Sequence, residues 1–141
     1  MVETNSGGIA LLPIQPTYVD AILEGRKKVE FRRRGFGRPV QHVVVYCTSP
    51  VQRIVAFFRV SAIKEAAPEE LWRQYWRVGG IDECLFQAYY QGAKKGFAIE
   101  IDEVFCLKKP LALRSLSETL SPPQGFLYLS GLLFHQIVQH M

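Results

Sequence analysis

The stretch Gly96 to Leu107, GFAIEIDEVFCL, limits the possible folds more than any other. Phe97, Ile99 and Ile101 alternate with Ala98, Glu100 and Asp102, the period of a strand with one face turned inward. The phase changes at Glu103-Val104, which predicts a bulge or bend. Val43 to Cys47 (VVVYC) is continuously apolar, as a central strand covered on both faces must be. Arg53 to Val60 (RIVAFFRV) is apolar on both faces apart from Arg59. Ile9 to Ile14 reads as a short buried strand, and Lys28 to Arg34 as a further one. Pro16 opens a helix that Gly25 stops. Helices are also predicted from Pro68, from Asp82 to Gln91 and from Leu132 to Met141, with a helical turn over Ser115 to Leu120. Regular βαβ alternation is missing, which argues against a doubly wound parallel sheet. Long strands with bends and phase changes instead predict an α+β, mostly β fold. The expected form is a small, closed or half-closed β-barrel with helices flanking its mouth.

A chain of 141 residues with 48% hydrophobic side chains can bury one core without staples. Residues 1–8 are expected to be a flexible N-terminus, and 131–141 a helical tail packed on the same domain. Cys47, Cys84 and Cys106 are odd in number and match no zinc or redox spacing. They point to a reducing, cytoplasmic setting. No apolar run has the length of a membrane span, and MVETNSGG does not read as a signal peptide. His42, His135 and His140 have no acid at a telling spacing. Neither a metal nor a cofactor is expected.

Charge is concentrated in one place. Gly25 to Arg38 (GRKKVEFRRRGFGR) holds seven of the seventeen basic residues and one acid, Glu30, so it carries +6 in a chain of net +4. The remainder is slightly acidic. A local positive field around a lone carboxylate points to a phosphate-bearing partner.

Gly25, Lys27, Glu30 and Arg32 form a G-x-K-x-x-E-x-R pattern directly after a strand-helix unit. This resembles the signature of ASCH domains, within the PUA-like superfamily. LLPIQPTYVDAILEG, VVVYCTSPVQRIVAFFRV, GFAIEIDEV and PPQGFLYL extend the resemblance over residues 9–130. It implies a PUA-like barrel whose cleft is lined by the motif and binds RNA or a single modified nucleotide. It also implies an alternative, a hydrolase: a ribonuclease, or an amidohydrolase acting on N4-acetylcytidine. Lys27 falls at the catalytic lysine of that amidohydrolase. The position of its threonine holds Glu30, and a carboxylate cannot replace a hydroxyl nucleophile in the same acyl-transfer step.

Strand parity puts Glu30 and Arg32 on one face, and Lys27 can curl toward it from the turn. The cations could hold a phosphate or polarise a carbonyl, and Glu30 could bind a base amino group or act as general base. Lys27 and Glu30 are therefore the catalytic candidates if the chain is an enzyme. The plain alternative is an ion network that fixes the strand. Arg33, Arg34 and Arg38 are read as backbone-phosphate contacts. Ser49 is a candidate hydrogen-bond donor at the end of the central strand. Trp76, beside Arg77 and Gly79-Gly80, is a candidate stacking ring. Gln124 and Tyr128 enter as pocket-lining residues through the resemblance alone. The apolar end GLLFHQIVQHM is also read as a surface through which two copies could pair.

Overall fold

The computed structural model describes residues 8–141. Residues 1–7, most of the segment read as a flexible N-terminus, lie outside the described residues. Among the described residues six strands form one mixed sheet: β1 (Ile9–Ile14), β2 (Val29–Arg32), β3 (His42–Cys47), β4 (Arg53–Ala66), β5 (Gly96–Leu111) and β6 (Leu127–Leu129). Four helices accompany it: α1 (Pro16–Leu23), α2 (Pro68–Tyr75), α3 (Glu83–Tyr89) and α4 (Gly131–Val138). A short 3-10 turn, Leu113–Ser115, ends where the expected helical turn over Ser115 to Leu120 would begin.

The strand order is β2-β5-β4-β3-β1-β6. Only β1 and β3 pair in parallel, with Leu11 opposite Val44. The other pairs are antiparallel. A parallel pair needs a long crossover, and here the crossover carries α1, the basic segment and β2. The bend expected in β5 is a register slip: Phe58 pairs with Val104 but Val60 with Ile101, leaving an extra residue at Asp102-Glu103. Arg59 bonds both of those acids at 3.0 Å on the surface. β5 also runs on past Pro110, which was expected to end it. Its β2 neighbour covers only Phe97 to Glu100, so Pro110 lies beyond the reach of that ladder.

The closed barrel is not what forms. β2 and β6 are the two edges of the sheet and share no ladder. They are four and three residues long, too short to carry a further set of paired backbone groups across the gap. Side chains bridge it instead. Arg32 donates to the Gly125 carbonyl at 3.0 Å, and the Tyr128 hydroxyl accepts from the Gly37 N–H at 2.8 Å. Phe36 packs edge-on against Phe126, 4.9 Å between centroids. The architecture is an open, strongly bulged α+β sheet with helices on both faces.

Alternation along the strands sorts the core. Ala10, Leu12 and Ile14 join Val19 and Ile22 of α1 on one face. Ile9 and Leu11 join Ile137 of α4 on the other. Val29, Phe31 and Ala98 meet Leu71, Tyr75 and Phe86 of α2 and α3. Burying each large apolar side chain is worth about 1.5–3 kcal/mol. This third cluster holds β2 rigidly and turns its alternate residues, Glu30 and Arg32, to the opposite side.

Candidate functional site

Gly25 adopts a φ of 82°, the left-handed conformation that ends α1. The N–H groups of Arg26 and Lys27 then both bond the Ala21 carbonyl at 3.0 Å. This tight exit brings Lys27 in under the sheet, where it is only 3% exposed. Glu30 is nearly as buried, at 7%.

The Lys27 ammonium donates to the Gly79 carbonyl at 2.6 Å and lies 3.7 Å from Glu30 Oε1. It also faces the Tyr18 and Phe31 rings, 5.2 and 5.4 Å from their centroids. Burial pushes the Lys27 amine below its ordinary range, and Glu30 offsets part of that shift. Arg32 Nη1 bonds Glu30 Oε2 at 3.3 Å and the Pro13 carbonyl at 3.4 Å. One carboxylate thus stands between two cations.

These groups open onto a cavity of about 310 Å³. Pro13 and Ile14 of β1, with Gln15 and Tyr18, form one wall, and Ile81, Leu85 and Tyr89 the other. Burial raises the Tyr18 hydroxyl, helped by Asp82 and Glu30. It raises Tyr89 too, against the opposing charge of Arg32. The site therefore offers proton donors, a carboxylate and apolar ring faces in a space that suits a single base or nucleotide.

The expected residues separate into two groups. Lys27, Glu30 and Arg32 come together in the cavity. Arg33 turns away: its guanidinium caps the carbonyls of Tyr89 and Gln91 at 2.8 and 3.1 Å, and its N–H bonds the Tyr89 hydroxyl. Arg38 lies 3.7 Å above the Tyr128 ring, on the bridged gap and away from the cavity lining. Arg34 is exposed and has no side-chain hydrogen bond or ion pair among the described residues. Ser49 and Gln124 are exposed and do not line the cavity. Trp76 is half exposed, with Arg77 over its ring at 5.2 Å. It too is absent from the lining. Among the described residues no group of three or more His, Cys, Asp or Glu could hold a metal.

Sequence reasoning missed Tyr18, Tyr89 and Gly79. Tyr18 directly precedes the apolar Val19 on a short helix, and the Gly79-Gly80 pair entered only as a neighbour of Trp76. Gly80 has φ +65°, and a Cβ there would come within 2.7 Å of the Lys27 Cβ. That pair of glycines was the available signal for a close approach.

No protein-family model matches the chain. It is 30% identical over 125 residues to an ASCH domain-containing ribonuclease from Zymomonas mobilis, covering 85% of this chain and 83% of that protein. The chain belongs to the ASCH-domain family. The crystal structure of ASCH from Zymomonas mobilis superposes with a TM-score of 0.85 at 26% identity, covering 93% of this chain and 94% of that one. The N-terminal domain of Staphylothermus marinus McrB shares the fold at 11% identity and a TM-score of 0.62, across 100% of this chain and 99% of its own. In this ASCH domain, then, Lys27, Glu30 and Arg32 of the G-x-K-x-x-E-x-R pattern are the charged residues of the cavity lining.

Proposed function

We propose that this ASCH domain binds single-stranded RNA, takes one nucleotide into the cavity and cleaves the adjoining phosphodiester. The observation that carries the reading is the buried Glu30 carboxylate, 3.7 Å from the Lys27 ammonium and 3.3 Å from the Arg32 guanidinium, at the wall of a cavity. Similarity to a protein described as a ribonuclease supports cleavage over binding alone. A paired nucleotide cannot reach such a space, so the substrate is a strand whose base is free to leave its stack.

In the proposed reaction Glu30 takes the proton of the ribose 2′-hydroxyl. The 2′-oxygen attacks the neighbouring phosphorus, and the bond from phosphorus to the 5′-oxygen breaks. Lys27 neutralises the charge that develops on the phosphoryl oxygens and gives a proton to the leaving 5′-oxygen. The products are a 2′,3′-cyclic phosphate and a 5′-hydroxyl. The lowered affinity of Lys27 for its proton suits this acid role. Arg32 holds Glu30 in place from the far side.

End-labelled single-stranded RNA, incubated with wild type, Lys27→Met and Glu30→Gln, tests the reading. Cleavage by wild type alone, with cyclic-phosphate ends, is the expected result. Equal cutting by all three proteins would overturn it. N4-acetylcytidine in a parallel incubation covers the amide-cleaving alternative, and release of acetate there without RNA cleavage would replace the present reading.

A further inference from the structure

The Lys27 ammonium is fixed from outside its own segment. The connection from α2 to α3, Trp76 to Asp82, runs alongside the start of β2 and ties to it twice. The Val78 carbonyl accepts from the Lys28 N–H at 2.7 Å, and the Gly79 carbonyl accepts from Lys27 Nζ at 2.6 Å. Both glycines are sterically required. A Cβ on Gly79 would lie 2.8 Å from the Phe31 ring, and one on Gly80 would lie 2.7 Å from Lys27 Cβ and 2.9 Å from its Cγ. The loop therefore touches the whole length of the lysine, stem and head.

We propose that Gly79 and Gly80 are positioning residues: their backbone forms a cradle that sets where the Lys27 ammonium sits relative to Glu30. The kinetic side of this inference rests on the proposed cleavage; the placement of Lys27 does not. Gly79 acts through its carbonyl, which takes one of the three N–H donors of Lys27. A second faces the Glu30 carboxylate, with Oε1 3.7 Å from Nζ, so the Gly79 carbonyl and Glu30 together fix the direction of the ammonium. Gly80 acts by the absence of a side chain.

The fold supplies a matched control. Gly92 follows α3 with φ +80°, close to the +65° of Gly80, but a Cβ on Gly92 would meet nothing within 4 Å. Gly80→Ala and Gly92→Ala thus introduce similar backbone strain, and only the first presses on Lys27. The charged and titratable groups around the ammonium are Glu30 at 3.7 Å and Tyr18, whose ring centroid lies 5.2 Å away, with Arg32 behind Glu30 and Asp82 near Tyr18. None of them is altered by either substitution.

The test follows the Lys27 side chain by NMR titration in the absence of substrate, together with the pH dependence of RNA cleavage. In Gly80→Ala the ammonium is pushed out of its cradle, so Lys27 should titrate closer to an ordinary lysine. kcat should fall by about ten- to a hundred-fold with little change in KM. Gly92→Ala should match wild type in both. An unchanged Lys27 titration in folded Gly80→Ala would overturn the proposal, as would an equal shift in Gly92→Ala. If Gly80→Ala does not fold, wild type alone decides. A Lys27 Nζ–H signal protected from solvent exchange supports the cradle, and one exchanging as fast as exposed lysines overturns it. If no variant cuts RNA, the cleavage reading falls while the titration still judges the cradle.

Discussion

Arg32 Nη2 lies 3.0 Å from the carbonyl oxygen of Gly125, 93 positions further along the chain. This one guanidinium joins the edge strand β2 to the segment that leads into the opposite edge, β6. With its other nitrogen it bonds Glu30 and Pro13. The site and the bridged gap in the sheet therefore share a residue.

Replacing Arg32 with Ala should affect both. Three acceptors lose a donor, and among the described residues Glu30 keeps Lys27 as its only close cation. A loss of about 2–3 kcal/mol in unfolding free energy is expected, measured by urea denaturation. Arg32→Lys carries the charge but not the fork, and should recover only part of it. A loss within measurement error would show that the gap is held by the Phe36 and Tyr128 side chains alone.

Lys27 gives stability a specific pH dependence. Its folded-state pKa is depressed below the ordinary 10.5. Below both values the folded chain bears the full cost of burying an ammonium. Between them the unfolded chain binds more protons, so stability rises with pH through that window and levels off above 10.5. Lys27→Met removes this contribution. The difference in unfolding free energy, wild type minus Lys27→Met, should therefore climb as pH passes from the depressed folded-state pKa toward 10.5. Subtracting the two cancels the tyrosines, whose own effect runs the other way. Tyr75 and Tyr90 hold their protons more tightly when folded, chiefly through burial. A flat difference would mean that Lys27 titrates normally.

Helix α4 should divide sharply in its response to truncation. Ile137 is fully buried against the sheet, whereas Leu132 on the same helix is 69% exposed. Ile137→Ala is expected to cost about 2–5 kcal/mol and Leu132→Ala less than about 0.5 kcal/mol. Thermal unfolding of the two variants checks this, and similar losses would contradict the packing.

The two arginines that follow Arg32 should behave differently in RNA binding. Arg34 is exposed, so Arg34→Ala should weaken binding. The slope of log affinity against log salt should become shallower by about 0.7 for each phosphate the side chain no longer neutralises. The unfolding midpoint should stay where it is. Arg33→Ala should lower that midpoint, because Arg33 bonds the carbonyls that end α3. Fluorescence anisotropy across a salt series and a melting curve for each variant separate the two effects.

The polar centre of the site was legible in sequence because it depends on local rules. Strand parity put Glu30 and Arg32 on one face, and the glycine after a helix pattern located the turn that brings in Lys27. The bulge near Glu103 was legible for the same reason, since a phase change is a local signal. The open sheet was not. Whether β2 and β6 meet depends on two short segments almost a hundred positions apart, and no pattern within either reports it. The cavity walls were hidden likewise: Tyr18, Tyr89 and the Gly79 carbonyl acquire their roles only when α1 and the α2–α3 connection are folded onto the basic segment. The bonds from Arg33 to the carbonyls at the end of α3 were not legible, because charge density alone does not report which carbonyls an exposed guanidinium meets.

The parallel pairing of β1 with β3 has a consequence for how such a protein can change over time. Two neighbouring parallel strands oblige the chain to make a long excursion between them. Here that excursion, from Gln15 to Gln41, contains Lys27, Glu30 and Arg32, while β3 and β4 follow it as an antiparallel pair. The backbone pairing of β1 with β3 and of β3 with β4 uses none of these three side chains, so Lys27 and Glu30 can be exchanged for other polar groups with those two ladders left in place, whereas Arg32 also ties the excursion to Pro13 and Gly125. The sheet is in this sense a socket, and the polar lining is an insert that Arg32 pins to it.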